Sequence, residues 1–426
     1  MTTRRDFLKT AAVTGSAAAL AAAPAVHASS NDIIRVGLVG CGGRGKGAAV
    51  QCVHGGQNVK LWAVGDAFRD RIDAALNEFR NPNRSNIGDL MDVPPERQFV
   101  GLNAYQDVIA NCDLVILATP PGFRPIHLQA AVNANKHIFT EKPVAVDAPG
   151  VRTVLALSEE ADRRGLCVVT GLQRHYQTGY LQSLRRMHGG EIGTITSARC
   201  YWNQGALWHT DRTPQMTDVE WQIRNWLYLC WLSGDHICEQ HVHNLDVINW
   251  ALQAHPVKCV GMGGRQARTG PEFGHIYDHF AVEYEYPNDV SCLSMCRQIQ
   301  GCAGNVSESV TGTRGTWTSR DNPADPNNYR IRGERPWVFN ARRDDNNPYQ
   351  KEHDVLINCI REGRRINNLR YTAESTMTAI MGRMSAYTGQ ALTWQQALAS
   401  NETLMPQNLA MDMTLPVPPV PMPGTR

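Results

Sequence analysis

Two stretches of this chain carry residue types at spacings suited to chemistry on a small molecule, and a third is built to recognise one. The run Ile33-Ile34-Arg35-Val36-Gly37-Leu38-Val39 enters Gly40-Cys41-Gly42-Gly43-Arg44-Gly45, a Gly-x-Gly-x-x-Gly pattern. There the first glycine permits a tight turn, the second lets a pyrophosphate approach the backbone, and the third lets strand and helix pack closely. A second apolar run, Leu61 to Gly65, ends at Asp66, about 20 residues further on, where a carboxylate accepts ribose hydroxyls and repels a 2′-phosphate. That favours NAD, while Arg44 and Arg69 leave NADP open. Between Leu232 and Leu252, apolar Val242, Leu245, Ile248 and Leu252 itself predict a helix over 237–252. On it Glu239 and His243, four apart, share a face, with His236 one turn earlier. Oxidation of a secondary alcohol needs a base near neutral pKa, a role an imidazole fits. Tyr201-Trp202-Asn203-Gln204, Trp208-His209 and Trp221 to Tyr228 combine aromatic faces with polar groups, as sugar sites do, and single out Arg224 and Tyr228 as substrate contacts.

His236, Glu239, His241, His243, His275 and His279 miss the spacings of zinc motifs, so no metal is predicted. The 12 cysteines include no Cys-x-x-Cys pair and read as buried free thiols, with Cys292 and Cys296 the pair to check for a bridge. Lys and Arg total 42 against 40 Asp and Glu, a net charge of +2 that excludes an electrostatic nucleic-acid binder.

Positioning these groups requires strands that end where they stand. After the glycine turn comes a helical stretch from Lys46 to His54. Leu114 to Ala118 is a strand opening into Thr119-Pro120-Pro121, and His137 to Thr140 is another, ending at Glu141-Lys142-Pro143. Strands alternating with helices, with ligand groups at the strand carboxyl ends, predict an α/β fold with a doubly wound parallel sheet over residues 31–150. Residues 151–400 form a second domain with strands at 168–171, 280–286, 290–298 and 306–317 and helices at 354–361 and 373–388. Residues 401–426 are an extended Pro-rich tail. At the other end, Thr3-Arg4-Arg5-Asp6-Phe7-Leu8-Lys9, an alanine-rich run from Ala11 to Ala25 and Val26-His27-Ala28 predict a cleaved twin-arginine signal over residues 1–28. Export as a folded protein to the periplasm or beyond follows, through the twin-arginine machinery and with no stable membrane anchor.

The glycine pattern, Ala118-Thr119-Pro120, Glu141-Lys142-Pro143 and the run around His243 together resemble the Gfo/Idh/MocA oxidoreductases, the family of glucose–fructose oxidoreductase and inositol dehydrogenase, and in particular its exported members. The resemblance implies a Rossmann domain followed by an α/β domain with an open, mostly antiparallel sheet, often an oligomer interface, and so a homo-oligomer. It places Lys142 in the cleft before a cis proline, as a proton-transfer partner of His243. It also brings Arg174 and Tyr176 near the cleft and matches the family's Asp-x-x-x-His with Glu239 and His243, glutamate replacing aspartate. Expected cofactor contacts are Gly40, Gly42, Gly43, Arg44, Gly45, Asp66, Thr119, Pro120, Glu141 and Lys142. Expected catalytic residues are Lys142, His243 and Glu239, with Arg174, Tyr176, Arg224, Tyr228 and His236 on the substrate.

The activity implied is hydride transfer from a secondary hydroxyl of a sugar, cyclitol or glycoside. Free NAD is scarce outside the cytoplasm, so the cofactor is expected to stay tightly bound. Transient oxidation followed by elimination, hydration and re-reduction would make the same site a glycoside hydrolase. A non-catalytic sugar-binding protein is the third reading.

Overall fold

The computed structural model describes residues 32–85, 87–319 and 329–425; the expected signal over 1–28 lies outside them. Six strands, β1 (Ile34–Val39), β2 (Val59–Asp66), β3 (Gln98–Val100), β4 (Leu114–Leu117), β5 (His137–Thr140) and β6 (Val168–Thr170), form a sheet of order β3-β2-β1-β4-β5-β6. Every neighbouring pair is parallel. Residues 34, 36 and 38 of β1, like all of β4 and β5, are buried, as a sheet covered on both faces requires. Strand order reverses between β1 and β4, and a crevice opens at their carboxyl ends. The sheet extends through β6, past the domain boundary expected at residue 150. Three helices follow its strands directly: α1 (Gly43–Val53), α2 (Arg69–Arg80) and α3 (Ala104–Ala110).

With β13 (Tyr329–Gly333), β14 (Trp337–Phe339) and β15 (Leu392–Thr393) at its edges, the second sheet has order β14-β13-β12-β11-β7-β10-β9-β8-β15. Its centre is β7 (Ile195–Gln204), β8 (Lys258–Gly264), β9 (His279–Tyr286), β10 (Val290–Gln298), β11 (Asn305–Gly312) and β12 (Gly315–Ser319). The pair β7–β10 is parallel and the other pairs are antiparallel. The fold is therefore α/β, a parallel Rossmann-like sheet followed by a mostly antiparallel one. Along β10, buried Cys292, Ser294 and Cys296 alternate with exposed Leu293 and Met295, so one sheet face is covered and the other open.

Three local expectations are corrected. The run 306–317 is not one strand but the hairpin β11–β12, turning at Thr313 and Arg314. Cys292 and Cys296 are free, because four residues along one strand separate their Cα atoms by about 13 Å, beyond the ~7 Å a bridge spans. The single helix expected over 237–252 is two, His236–Glu239 and Val242–Leu252. In an unbroken helix the Glu239 carbonyl would accept from the His243 N–H. Instead it accepts from Lys142 Nζ at 2.6 Å, and the His243 N–H turns to Gln240 O at 3.4 Å. A side chain from the first domain thus fills the place of the lost rung.

The long helix Pro348–Glu362 returns from the second domain to the first. It buries Leu356, Ile357 and Ile360 in the core that contains Ile34, Val36 and Leu38, and this packing locks the two domains together.

Candidate active site

Gly40 has φ +96°, and a Cβ there would lie 2.7 Å from the Ala118 backbone. At Gly45 a Cβ would lie 1.9 Å from the Gly40 carbonyl oxygen, whereas at Gly42 and Gly43 it would meet nothing within 4 Å. The turn is closed on its packing side and open on the other, the shape needed for a pyrophosphate to reach the backbone at the start of α1. Asp66, at the end of β2, accepts the Cys41 N–H at 2.7 Å and the Phe68 N–H at 3.0 Å, and burial raises its pKa. These groups line a cavity of about 510 Å³, together with Arg44, Thr119 and Pro120. That volume lies in the range of small-molecule sites. The turn, the acidic residue and the cavity fit a nicotinamide dinucleotide.

His127 adjoins this cavity, its Nδ1 3.2 Å from Thr119 Oγ1 and its ring stacked 4.3 Å from Tyr105. Burial, aided by Arg124, pushes its pKa down to about 3. The folded protein keeps this imidazole neutral while the unfolded chain takes up a proton below about 6.5. Stability is therefore full above that pH and is lost as pH falls toward 3. At pH 5 the loss from His127 alone is about 2 kcal/mol. A set of melts between pH 7 and 5 is expected to show a falling Tm, with a smaller slope in His127→Asn; equal slopes would contradict this.

Arg44 lines the cavity, but its guanidinium is committed elsewhere. Nε donates to Glu141, Nη2 to Glu352 at 3.0 Å and Nη1 to Gln51 at 2.9 Å, with the Tyr349 ring 5.1 Å away. Glu141 therefore holds Arg44 rather than a nucleotide, a correction to its expected role. Arg69, the other candidate for a 2′-phosphate, donates to Gln98 at 2.9 Å.

The peptide bond between Lys142 and Pro143 is cis, as expected. Lys142 Nζ sits on the Glu239 carbonyl and 3.7 Å from its carboxylate Oε1. It does not wall the nucleotide cavity. His243, one turn beyond Glu239, is buried with its ring 5.7 Å from Trp202, and its Nδ1 has no hydrogen-bond partner among the described residues. Burial holds its pKa well below the usual imidazole range, and the charges of Lys142, Arg174 and Arg44 push the same way. Lys142, Glu239 and His243 thus form one group, with a neutral imidazole beside a cation.

The five expected substrate contacts are bound to protein partners. Arg174 forms a buried ion pair with Glu308, which also accepts from Tyr180 Oη at 3.0 Å and from Asn244. Tyr176 donates its hydroxyl to Asn368 at 2.6 Å, and Tyr228 donates to the Leu207 and Trp208 carbonyls. His236 Nδ1 lies 3.0 Å from Asp235 Oδ1, with its ring 5.1 Å from Phe280. Arg224 lines the nucleotide cavity, not a separate sugar site, and forms a two-pronged pair with Asp70 at 2.9 and 3.0 Å. Trp208 and Trp226 wall the same cavity. The aromatic density visible in the sequence thus contributes to the cavity that the glycine turn and Asp66 also line. Glu352, which orients Arg44, carried no signal, because no local pattern ties residues 308 positions apart. Among the described residues no group of three or more His, Cys, Asp or Glu side chains is placed to hold a metal ion.

A cavity with these groups at the carboxyl ends of a doubly wound sheet defines a Rossmann-type fold with a site shaped for a dinucleotide. Residues 34–171 match the Gfo/Idh/MocA family model, described as "Oxidoreductase family, NAD-binding Rossmann fold". The chain is 26% identical over 222 residues to an inositol 2-dehydrogenase of Salmonella paratyphi B, covering 51% of this chain and 54% of that one. It is 25% identical over 199 residues to the 2,7-anhydro-N-acetylneuraminate hydratase of Escherichia coli, covering 46% and 49%. The chain thus spans about half the length of these curated relatives. Its fold is shared with aldose-aldose oxidoreductase from Caulobacter crescentus, at TM-score 0.65 and 14% identity, over 85% of this chain and 100% of that one. It is shared equally with scyllo-inositol dehydrogenase from Lactobacillus casei, solved with NAD(H) and scyllo-inositol, at TM-score 0.64, 18% identity and the same coverage.

Proposed function

We propose that the protein is an NAD-dependent oxidoreductase that oxidises a secondary hydroxyl of a sugar, cyclitol or glycoside. The observation that carries this reading is the Lys142–Glu239–His243 group, formed across the junction between a nucleotide-binding domain and a second sheet. When bound, the nicotinamide supplies a site that takes up a hydride and returns it. The chain supplies the proton chemistry. His243, kept neutral by burial and by Lys142, has the capacity to accept the hydroxyl proton, and the Lys142 ammonium stabilises the alkoxide oxygen as it forms. Glu239 holds Lys142 in place through its carbonyl and its carboxylate. Commitment of Arg44, Arg69 and Arg224 to carboxylate or amide partners, with Asp66 at the end of β2, supports NAD over NADP.

The sequence signal at residues 1–28 supports export, and scarcity of free NAD outside the cytoplasm supports a retained cofactor. Cell fractionation tests the first point; a mature chain found only in the cytosol would contradict it. The hydratase among the relatives favours a second reading, in which oxidation primes elimination and hydration of a glycoside.

The test is a panel of sugars, cyclitols and glycosides incubated with the NAD-loaded protein, with reduced nicotinamide followed by absorbance and products by mass spectrometry. A ketone product with reduced cofactor supports the first reading, and a released aglycone without net reduction supports the second. A loaded protein that transforms no member of the panel would contradict both.

A further inference from the structure

Part of the wall of the nucleotide cavity, in contact with Phe68, does not come from the Rossmann domain. Trp208, Thr210, Ile223 and Arg224, all in the second domain, provide it. In a Rossmann site the acid ending the second strand marks the adenosine ribose, so this segment covers the adenosine end. Arg224 ties this segment to the first domain. Its two Nη atoms pair with Asp70 at 2.9 and 3.0 Å, Nε pairs with Glu220 at 3.0 Å, and the guanidinium lies 3.8 Å over the Phe68 ring. A bidentate arginine stacked on an aromatic ring is held in orientation as well as in charge.

What holds the segment itself is the C-terminal tail. Residues 401–425 contain no helix or strand, yet they are pinned along their length. Asp147 accepts the Leu404 N–H at 2.9 Å, Thr217 donates to the Met411 carbonyl at 2.6 Å, and Asp218 accepts the Leu415 N–H at 2.9 Å. Gln222 donates to the Leu415 carbonyl, and further on Tyr277 donates to the Pro421 carbonyl at 3.0 Å. Leu409, Met411, Met413 and Leu415 recur at every second residue, the period of an extended chain with one apolar face. That face packs on the cluster containing Phe68, Ile223 and Trp231. Thr217, Asp218 and Gln222 stand on the same short helix, Asp218–Arg224 and its cap, that ends at Arg224. The tail touches this helix by three hydrogen bonds and an apolar stripe, and none of its residues lines the cavity.

We propose that residues 404–421 are an intramolecular strap that holds the 208–226 segment, with Arg224 as its positioning residue, over the adenosine end of the cavity and thereby sets how slowly a bound dinucleotide leaves. The proposal rests on the reading of this cavity as a dinucleotide site. A ligand seated between Asp66 and the overlying segment leaves only when the Arg224–Asp70 pair parts and the segment lifts. Lifting it strips the apolar stripe from its cluster. The strap therefore acts on the dissociation rate, where most differences in affinity between related complexes arise. None of these hydrogen bonds reaches Lys142, Glu239 or His243, and the release rate is the quantity the strap is expected to move.

The experiment uses the full chain loaded with NADH and chased with excess NAD, with release followed by the loss of energy transfer from the tryptophans, two of which, Trp208 and Trp226, wall the cavity. Deletion of residues 402–426 is expected to speed release by about tenfold or more, and the double variant Asp218→Ala/Gln222→Ala to do the same without truncation. Arg224→Lys, which keeps the charge but loses the fork and the stacking, should fall between wild type and Arg224→Ala. Asp218→Asn, which keeps an acceptor for the Leu415 N–H, should restore slow release. Thermal melts on every variant separate loss of the strap from loss of the fold. Release rates within twofold of wild type in folded variants would overturn the proposal while leaving the dinucleotide reading intact. A wild-type chain that binds no NADH would instead overturn the reading of the cavity itself, and the strap with it.

Discussion

Lys142→Ala is expected to lower kcat by about 10³-fold while leaving affinity for NADH within about threefold, the loss a well-placed proton-transfer group produces. Two observations set that expectation. Lys142 Nζ lies at the junction of the first domain with the broken helix, 2.6 Å from the Glu239 carbonyl, and it stands outside the wall of the nucleotide cavity. Its removal strips a cation from beside His243, whose pKa Lys142 helps to hold down. The His243 pKa should therefore rise, moving the acid limb of the residual pH–rate profile upward. The freed Glu239 carbonyl also loses its donor, at a cost of about 1–3 kcal/mol if it stays buried, so a lower Tm is expected and Lys142→Met, which keeps the aliphatic stem, is the companion variant. Steady-state kinetics with an active substrate, NADH titration and melts together decide the point. Retention of kcat within tenfold of wild type would remove Lys142 from the chemistry.

Gly45→Ala is expected to abolish dinucleotide binding, weakening it by about 100-fold or more, because its Cβ would meet the Gly40 carbonyl oxygen at 1.9 Å and force the turn apart. Backbone cannot rotate away as a side chain can, so a lower Tm should accompany the loss. Gly43→Ala separates the two effects. Nothing in the protein lies within 4 Å of a Cβ there, so the fold should be unaffected, yet the methyl group would stand on the open side where a pyrophosphate approaches. Titration with NADH should show weakened binding in both variants and a lowered Tm in Gly45→Ala alone. Full-strength binding by Gly45→Ala would mean that the glycine turn is not the cofactor cradle.

Strands β1, β2, β4 and β5, the glycine turn and Asp66 are readable because each depends on neighbours in sequence: an apolar run, a turn, an acid at the next strand end. The domain junction was not, because it depends on pairs far apart. Lys142 and Glu239 are 97 positions apart, and their contact breaks a helix that its own periodicity writes as continuous. Arg174 reads equally well as a sugar ligand or as a buried ion pair, and only the position of Glu308, 134 residues away, decides for the pair. Arg224 and the tryptophans near it announced a site through their residue types. Residue type does not say which ligand an aromatic wall faces, and only the fold brings Trp208, Arg224 and Trp226 to the cavity that Asp66 also lines. The tail's alternation of Leu409, Met411, Met413 and Leu415 is visible in the sequence as well, but the prolines that follow it say only that the chain is extended, not what it lies against.

Mass spectrometry of the small molecules released on denaturing the protein, purified without added cofactor, tests the central claim most directly, provided the emptied chain is then titrated with NAD and NADP. The account predicts near-stoichiometric NAD released from the native protein, and rebinding of NAD in preference to NADP. A protein that yields neither nucleotide and takes up neither on titration would contradict it.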